Sequence, residues 1–321
     1  MMNPMMNMTL FFLVLSTLMV VMSSSWFIMW LMMEFNMMMF IPWMNYKNMN
    51  LESEASIKYF LCQALGSAIM IYSSMHLSSN MVDKYALMMA LCLKIGSFPC
   101  YMWFISVMKS SNWISCTMLM TWQKIAPLFI ISKFMLNIGN FMLIISILNI
   151  LIGGMFGMNQ TDLRSMLAYS SVAHLGWMFM LYNYQFFIYM WEYFFMYLIL
   201  VIPICIMYMN MNPKTGIELF NMNMLNQKSK LMVTMMMLSL AGLPPLSGFL
   251  LKLIALFPIS NMSINVTMLM VILSVLSLYM YISFMLPTSI IMKPSLNQKS
   301  MTVWFKLVLM NTFMLPIIMF L

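Results

Sequence analysis

Along this chain, apolar residues run in blocks of roughly 18–28 separated by short polar connections, and no polar stretch is long enough to fold outside a membrane. Blocks of that length suit helices that cross a bilayer at about 1.5 Å rise per residue. About eleven are predicted, over 8–25, 27–44, 55–76, 84–107, 113–135, 139–157, 162–181, 185–209, 229–257, 262–286 and 303–320. The first two are separated only by the polar step from Ser23 to Ser25. The longest connections cover 45–54, 210–228 and 287–302. The expected architecture is all-α and integral to the membrane, with residues 1–321 forming a single transmembrane domain.

Composition agrees with that pattern. Mean hydropathy is +0.92, with 64% of residues hydrophobic and only 7% charged. A water-soluble protein of this size could not hide so much apolar surface, so lipid is the expected solvent and the bilayer the first partner. The N-terminal stretch lacks a basic region, a small-residue cleavage site and the Arg-rich amphipathic pattern of a transit peptide, so no cleaved leader is expected. Fifty-two methionines exceed any folding need and suggest a biased genetic code, as in an organelle genome. Cys62, Cys92, Cys100, Cys116 and Cys205 lie in apolar runs without CxxC spacing, which argues against zinc, iron–sulfur or disulfide roles.

Charge sets the topology. With eleven spans, Lys47, Lys109, Arg164, Lys214, Lys228, Lys230, Lys293 and Lys299 share one side, leaving Lys84 and Lys133 opposite. That basic side, which includes the N-terminus, is expected to face the cytoplasm or matrix. The net charge of +8 therefore reflects topology and buried lysines. No basic stripe interleaves with polar surface, so a nucleic-acid partner is not expected. Acids at the starts of predicted helices, Glu52, Glu54 and Asp162, are read as end residues that match the helix dipole.

Glu34, Lys94, Lys124 and Lys252 stand inside the apolar blocks themselves. A charge at the bilayer centre costs roughly 2.5–3.5 kcal/mol on insertion scales, so such residues are candidate ion or proton machinery. The lysines sit near helix breakers. Gly96 and Pro99 follow Lys94, Pro127 follows Lys124, and Pro244 and Pro245 precede Lys252. Proline has no N–H, so Gln123, Leu240 and Ala241 would lose their usual carbonyl partners to Pro127, Pro244 and Pro245. In lipid a freed carbonyl needs protein or cavity water, and transporters build ion sites at such interruptions. Two or more helices are thus expected to break near the midplane.

Burial disfavours a charged amine and a nearby carboxylate favours it, so moving an acid to or from a lysine loads and unloads it. Glu34 is the only acid in the first two predicted helices. The competing reading for each lysine is snorkelling to an interface, which suits Lys133 near a helix end. For Glu34 it is a protonated structural acid, and Glu192 is left open. His174, with Tyr169, Ser170 and Ser171 beside it, is either a structural histidine or a proton relay. His76 reads as interfacial, and the two histidines differ too much in depth to hold a haem.

Four runs in this order and spacing, Glu54 to Leu61, Thr121 to Pro127, Arg164 to Trp177 and Leu243 to Lys252, make the chain resemble the subunit 2 family of mitochondrial respiratory complex I. The resemblance covers nearly the full length, and the methionine excess fits a code with an extra Met codon. It implies an antiporter-like membrane-arm subunit of the inner mitochondrial membrane with two broken helices and a central hydrophilic axis, packed beside other membrane-arm subunits. Flavin, iron–sulfur clusters and ubiquinone would belong to partner subunits, leaving this chain without cofactor, metal or redox centre. By similarity, Glu34 and Lys94 would form a modulating ion pair and Lys124 the central proton carrier. His174 would be an intermediate relay and Lys252 the exit-side lysine.

The chain departs from that family's pattern at Cys100 and Tyr101, where a Phe-His pair is common, and at Ile105, where a second proline is usual. Leu251 and Leu253 likewise replace a usual Pro and Trp. The expected activity is proton translocation driven by redox chemistry elsewhere in the complex. Two rivals are a stand-alone sodium/proton antiporter, which would want midplane carboxylates where this chain offers lysines, and a scaffold subunit without its own proton path.

Overall fold

The structure, a computed structural model, describes residues 4–45, 49–75, 81–134, 139–211, 227–244 and 246–290. Every regular element among them is an α-helix. In chain order these are α1 (Pro4–Met22), α2 (Trp26–Met44), α3 (Asn50–Ser74), α4 (Met81–Ile95), α5 (Met102–Ser110), α6 (Trp113–Met120) and α7 (Trp122–Phe134). There follow α8 (Gly139–Met158), α9 (Leu163–Asn183), α10 (Phe187–Met211), α11 (Gln227–Ala241), α12 (Ser247–Ser260) and α13 (Ile264–Ile290).

Seven stretches of the described residues are long and apolar enough to cross a membrane: Met5–Met22, Trp26–Met44, Asn50–Ser74, Trp113–Phe134, Asn140–Met158, Phe187–Met209 and Ile264–Met285. Two more expected spans, 84–107 and 229–257, are each divided by an interruption into pieces shorter than a bilayer crossing. Helix α9 is long enough, but Ser165, Ser170, Ser171 and His174 dilute its hydropathy. The expected span 303–320 lies outside the described residues, as do His76, Pro245, Lys47, Lys214, Lys293 and Lys299.

The described residues fall into two compact units, one within Met1–Phe141 and one within Met142–Leu321. In the first, α3 displays an inverted pattern. Gln63 and Ser67 are buried at 7% and 6% exposure, while Ile57, Leu61 and Leu65 are 55–60% exposed. Polar residues inside and aliphatic residues outside form the arrangement that lipid selects, since water would reverse it.

The second unit is built around α9, which is buried on nearly every side from Leu163 to Tyr182. A helix apolar around most of its circumference belongs at the centre of a bundle. Helix α8 reaches it through glycine. A Cβ on Gly153 would lie 2.6 Å from the Tyr169 carbonyl oxygen, and one on Gly176 would lie 2.6 Å from the Ser146 carbonyl oxygen. Small residues that let backbones approach are how helices associate where lipid removes the hydrophobic drive between them.

Candidate functional site

In the first unit, the site begins with how α4 stops. Gly96 has φ +78°, a conformation that only glycine adopts at no cost, and α4 closes there with a Schellman turn. The Ser97 N–H donates to the Cys92 carbonyl at 3.0 Å, and the Gly96 N–H donates to the Cys92 and Leu93 carbonyls at 3.0 and 3.3 Å. Side chains from elsewhere add to this. Trp103 Nε1 donates to Leu93 O, and Gln63 Nε2 donates to Lys94 O, each at 2.9 Å. The chain then passes a cis Phe98–Pro99 peptide before α5 resumes at Met102.

Lys94 stands in the last turn of α4 and its ammonium donates to Glu34 Oε1 of α2 at 3.3 Å. The lysine side chain is 3% exposed and the glutamate 22%. Cations are favoured at the negative end of a helix dipole, so α4 and Glu34 compensate the same charge. Gly66 of α3 leaves room for the lysine stem, since a Cβ there would lie 3.0 Å from Lys94 Cγ.

Lys124 is fully buried in the first turn of α7, its ammonium 5.4 Å from the Phe104 ring centroid. The interruption beside it differs from the expected one. Pro127 lies inside α7, and the break falls at Thr121, where φ is −114° and ψ −78°. Proline disturbs the turn before it by removing one N–H and crowding the carbonyl four residues back, so the discontinuity appears upstream of the ring.

Lys94 and Lys124 line one cavity of about 30 Å³, together with Asn36, Tyr59, Gln63, Gln123 and Pro127. At about 10–15 Å³ per water centre, it has room for roughly two waters. Its walls are linked: Gln123 Nε2 donates to Asn36 Oδ1 at 3.0 Å, and the Tyr59 hydroxyl donates to Gln123 Oε1 at 3.4 Å. Of these, the sequence singled out the two lysines and the proline, and Gln123 for its backbone carbonyl alone. The missed signal is an isolated neutral amide inside an apolar run, which carries a desolvation cost of its own.

In the second unit, α11 ends at Ala241, Gly242 takes φ +79°, and α12 starts at Ser247 with Pro244 in the gap. Lys252 folds back across this gap and donates to the Ala241 carbonyl at 2.7 Å. One of the two carbonyls expected to lose a backbone partner here, that of Ala241, is thus met by the lysine. Its stem runs against the interruption, so a Cβ on Gly242 would lie 2.8 Å from Lys252 Cε.

His174 of α9 and Lys252 line a second, smaller cavity of about 10 Å³ with Ser170, Trp177, Ser277 and Tyr281, at the lower limit for a single water. His174 Nδ1 is 2.8 Å from the Tyr193 hydroxyl of α10, and its ring centroid is 5.1 Å from that of Tyr197. The neighbours expected to help His174 divide. Ser170 lines the cavity, Ser171 donates to the Ala168 carbonyl, and Tyr169 stacks on Phe156. Tyr193 and Tyr197 were missed because a chain with 14 tyrosines gives no reason to select two.

The helix-start acids differ in their surroundings. Glu54 is exposed and pairs with Lys58, but Glu52 is buried and accepts a hydrogen bond from the Asn112 side chain. Asn112 is the N-cap of α6, so Glu52 ties α3 to α6 as well as facing its own helix start. Asp162 occupies the N-cap of α9 but makes no side-chain capping bond. Lys133, in the last turn of α7, reaches the Ser23 carbonyl. Among the described residues, no three His, Cys, Asp or Glu gather as a metal site.

A family described as NADH:quinone oxidoreductase/Mrp antiporter, TM, matches residues 23–83 and 75–277. NADH-ubiquinone oxidoreductase chain 2 of Lumbricus terrestris is 37% identical over 88% of this chain and 87% of its own length. The protein of the same name from Anopheles gambiae is 37% identical over 86% and 83%. Two solved structures share the fold. A chain of respiratory complex I from Thermus thermophilus with bound Aureothin has a TM-score of 0.83 at 18% identity, covering 96% of this chain and 76% of that one. A chain of the membrane-bound sulfane sulfur reductase, an archaeal respiratory membrane complex, has a TM-score of 0.78 at 13% identity, with coverage of 98% and 72%.

Proposed function

The chain belongs to the NADH-ubiquinone oxidoreductase chain 2 family, and from that premise we propose that it moves protons through Glu34, Lys94, Lys124, His174 and Lys252. It does so as a subunit of a proton-translocating NADH:ubiquinone oxidoreductase, set among other membrane-arm subunits in the lipid of the mitochondrial inner membrane. The Lys- and Arg-rich connections support an N-terminus on the matrix side. Flavin, iron–sulfur clusters and ubiquinone belong to partner subunits, which supply the driving energy.

The observation that carries this reading is that Lys94, paired with Glu34, and Lys124 line one water-sized cavity beside two helix interruptions. Glu34 balances the Lys94 charge while the pair is closed. Opening it leaves that charge uncompensated across a cavity it shares with Lys124, which alters the affinity of Lys124 for a proton. Moving one charge against 100 mV costs about 2.3 kcal/mol. A hundredfold swing in proton affinity is worth about 2.7 kcal/mol, so one lysine can span such a step. In the second unit, His174 and Lys252 pass the proton through the smaller cavity, with Lys252 as the exit-side group.

The test is proton pumping by the intact, reconstituted complex carrying Lys124→Ala, scored against the amount assembled. Normal assembly with lost pumping is the expected result. Full pumping at normal assembly would reduce these lysines to structural charges.

A further inference from the structure

A histidine that takes up and releases a proton at one ring nitrogen needs the other nitrogen held by a partner. His174 meets this condition through a residue outside the charged set. Its Nδ1 lies 2.8 Å from the Tyr193 hydroxyl, with both side chains buried. Tyr193 is itself packed on α10 and completely buried, so the hydroxyl sits at a fixed point in the second unit. The His174 ring also lines the cavity it shares with Lys252.

We propose that Tyr193 is the positioning residue of His174, accepting a hydrogen bond from Nδ1–H so that proton uptake and release occur at Nε2. A phenol oxygen accepts from Nδ1–H whether the ring is neutral or an imidazolium, so the bond survives both halves of the cycle. The tautomer is fixed by the partner of the nitrogen that does not react. In the reverse tautomer the hydroxyl donates to Nδ1, and Nε2 already carries a hydrogen and cannot take up another. The protein therefore gains from an oxygen at this position, where a phenylalanine of nearly the same shape would pack equally well. Tyr197, 5.1 Å away between ring centroids, limits rotation of the imidazole from a second direction.

This inference rests on the reading of His174 as a proton carrier, and the experiment separates the two. Tyr193→Phe, His174→Leu and the double variant are placed in the intact complex, reconstituted in vesicles. The readout is protons pumped per NADH oxidised. A purely structural fault lowers assembly and both rates together, leaving that ratio unchanged. We expect Tyr193→Phe to lower the ratio, His174→Leu to lower it, and the double variant to match His174→Leu alone, as for two residues acting through one step.

If Tyr193→Phe alone assembles poorly, the double variant recovers assembly, because replacing both partners of a buried hydrogen bond by apolar groups is nearly neutral. A wild-type ratio in Tyr193→Phe beside a lowered one in His174→Leu overturns the positioning role. So does a further loss in the double variant, or failure of the double to assemble where His174→Leu succeeds. A wild-type ratio in His174→Leu overturns the carrier reading of His174 and this inference with it.

Discussion

Glu34 and Lys94 test whether a buried pair is structural or switchable. Removing one partner of a buried ion pair costs about 3–5 kcal/mol, because the other charge is left stranded. Glu34 keeps 22% of its side chain exposed, so Glu34→Gln should fall below that range while still reducing the assembled complex. The double variant Glu34→Gln with Lys94→Met removes both charges and should restore assembly on native gels. Pumping per NADH should stay low in both. If the double variant recovers pumping along with assembly, the pair only stabilises the unit. The cavity makes this a question of function as well as stability, since Lys94 and Lys124 both line it and it has room for water between them.

At the scale of elements, two interruptions share a design. Gly96 and Gly242 both end a helix at φ near +80°, each with a buried lysine against the break. Alanine at either position pays roughly 1–2 kcal/mol for the left-handed conformation. What its Cβ then meets differs. At Gly96 the new atom would lie 2.6 Å from Phe104 Cβ, which is fixed to the backbone of α5. At Gly242 it would lie 2.8 Å from Lys252 Cε, near the end of a side chain that can move. Gly96→Ala should therefore reduce the amount of complex assembled. Gly242→Ala should assemble better and pump fewer protons per NADH, because it pushes Lys252 off the Ala241 carbonyl. Equal assembly losses in the two variants, with pumping ratios intact, would show that neither break tunes its lysine.

At the scale of the molecule, the exposed apolar faces of the spanning helices suit hydrocarbon or another membrane subunit, and both exclude charge. Ile272 on α13 is 69% exposed among Met268, Val275 and Tyr279. Ile272→Arg should lose roughly 2.5–3.5 kcal/mol of insertion free energy, and Ile272→Leu almost none. Resistance of the chain to alkaline extraction from membranes, compared between the two variants, checks this. An arginine variant retained as well as the leucine one would place this face against water.

The sequence by itself determined the solvent, the helical class and the location of the charged residues. Those follow from run length and local chemistry: 20 apolar residues need a bilayer, and a lysine inside them needs a reason. It also marked the interruptions near Lys94 and Lys252, because glycine and proline act on the few residues around them. Only the tertiary structure decided what each charge meets. Glu34 reaches Lys94 across 60 positions, Gln123 reaches Asn36 across 87, and Tyr193 reaches His174 from a neighbouring helix. It moved the break beside Lys124 from Pro127 to Thr121 and buried Glu52 against Asn112. Partners of this kind are set by how helices pack, and packing depends on small residues such as Gly66, Gly153 and Gly176, whose meaning lies in the atoms opposite them.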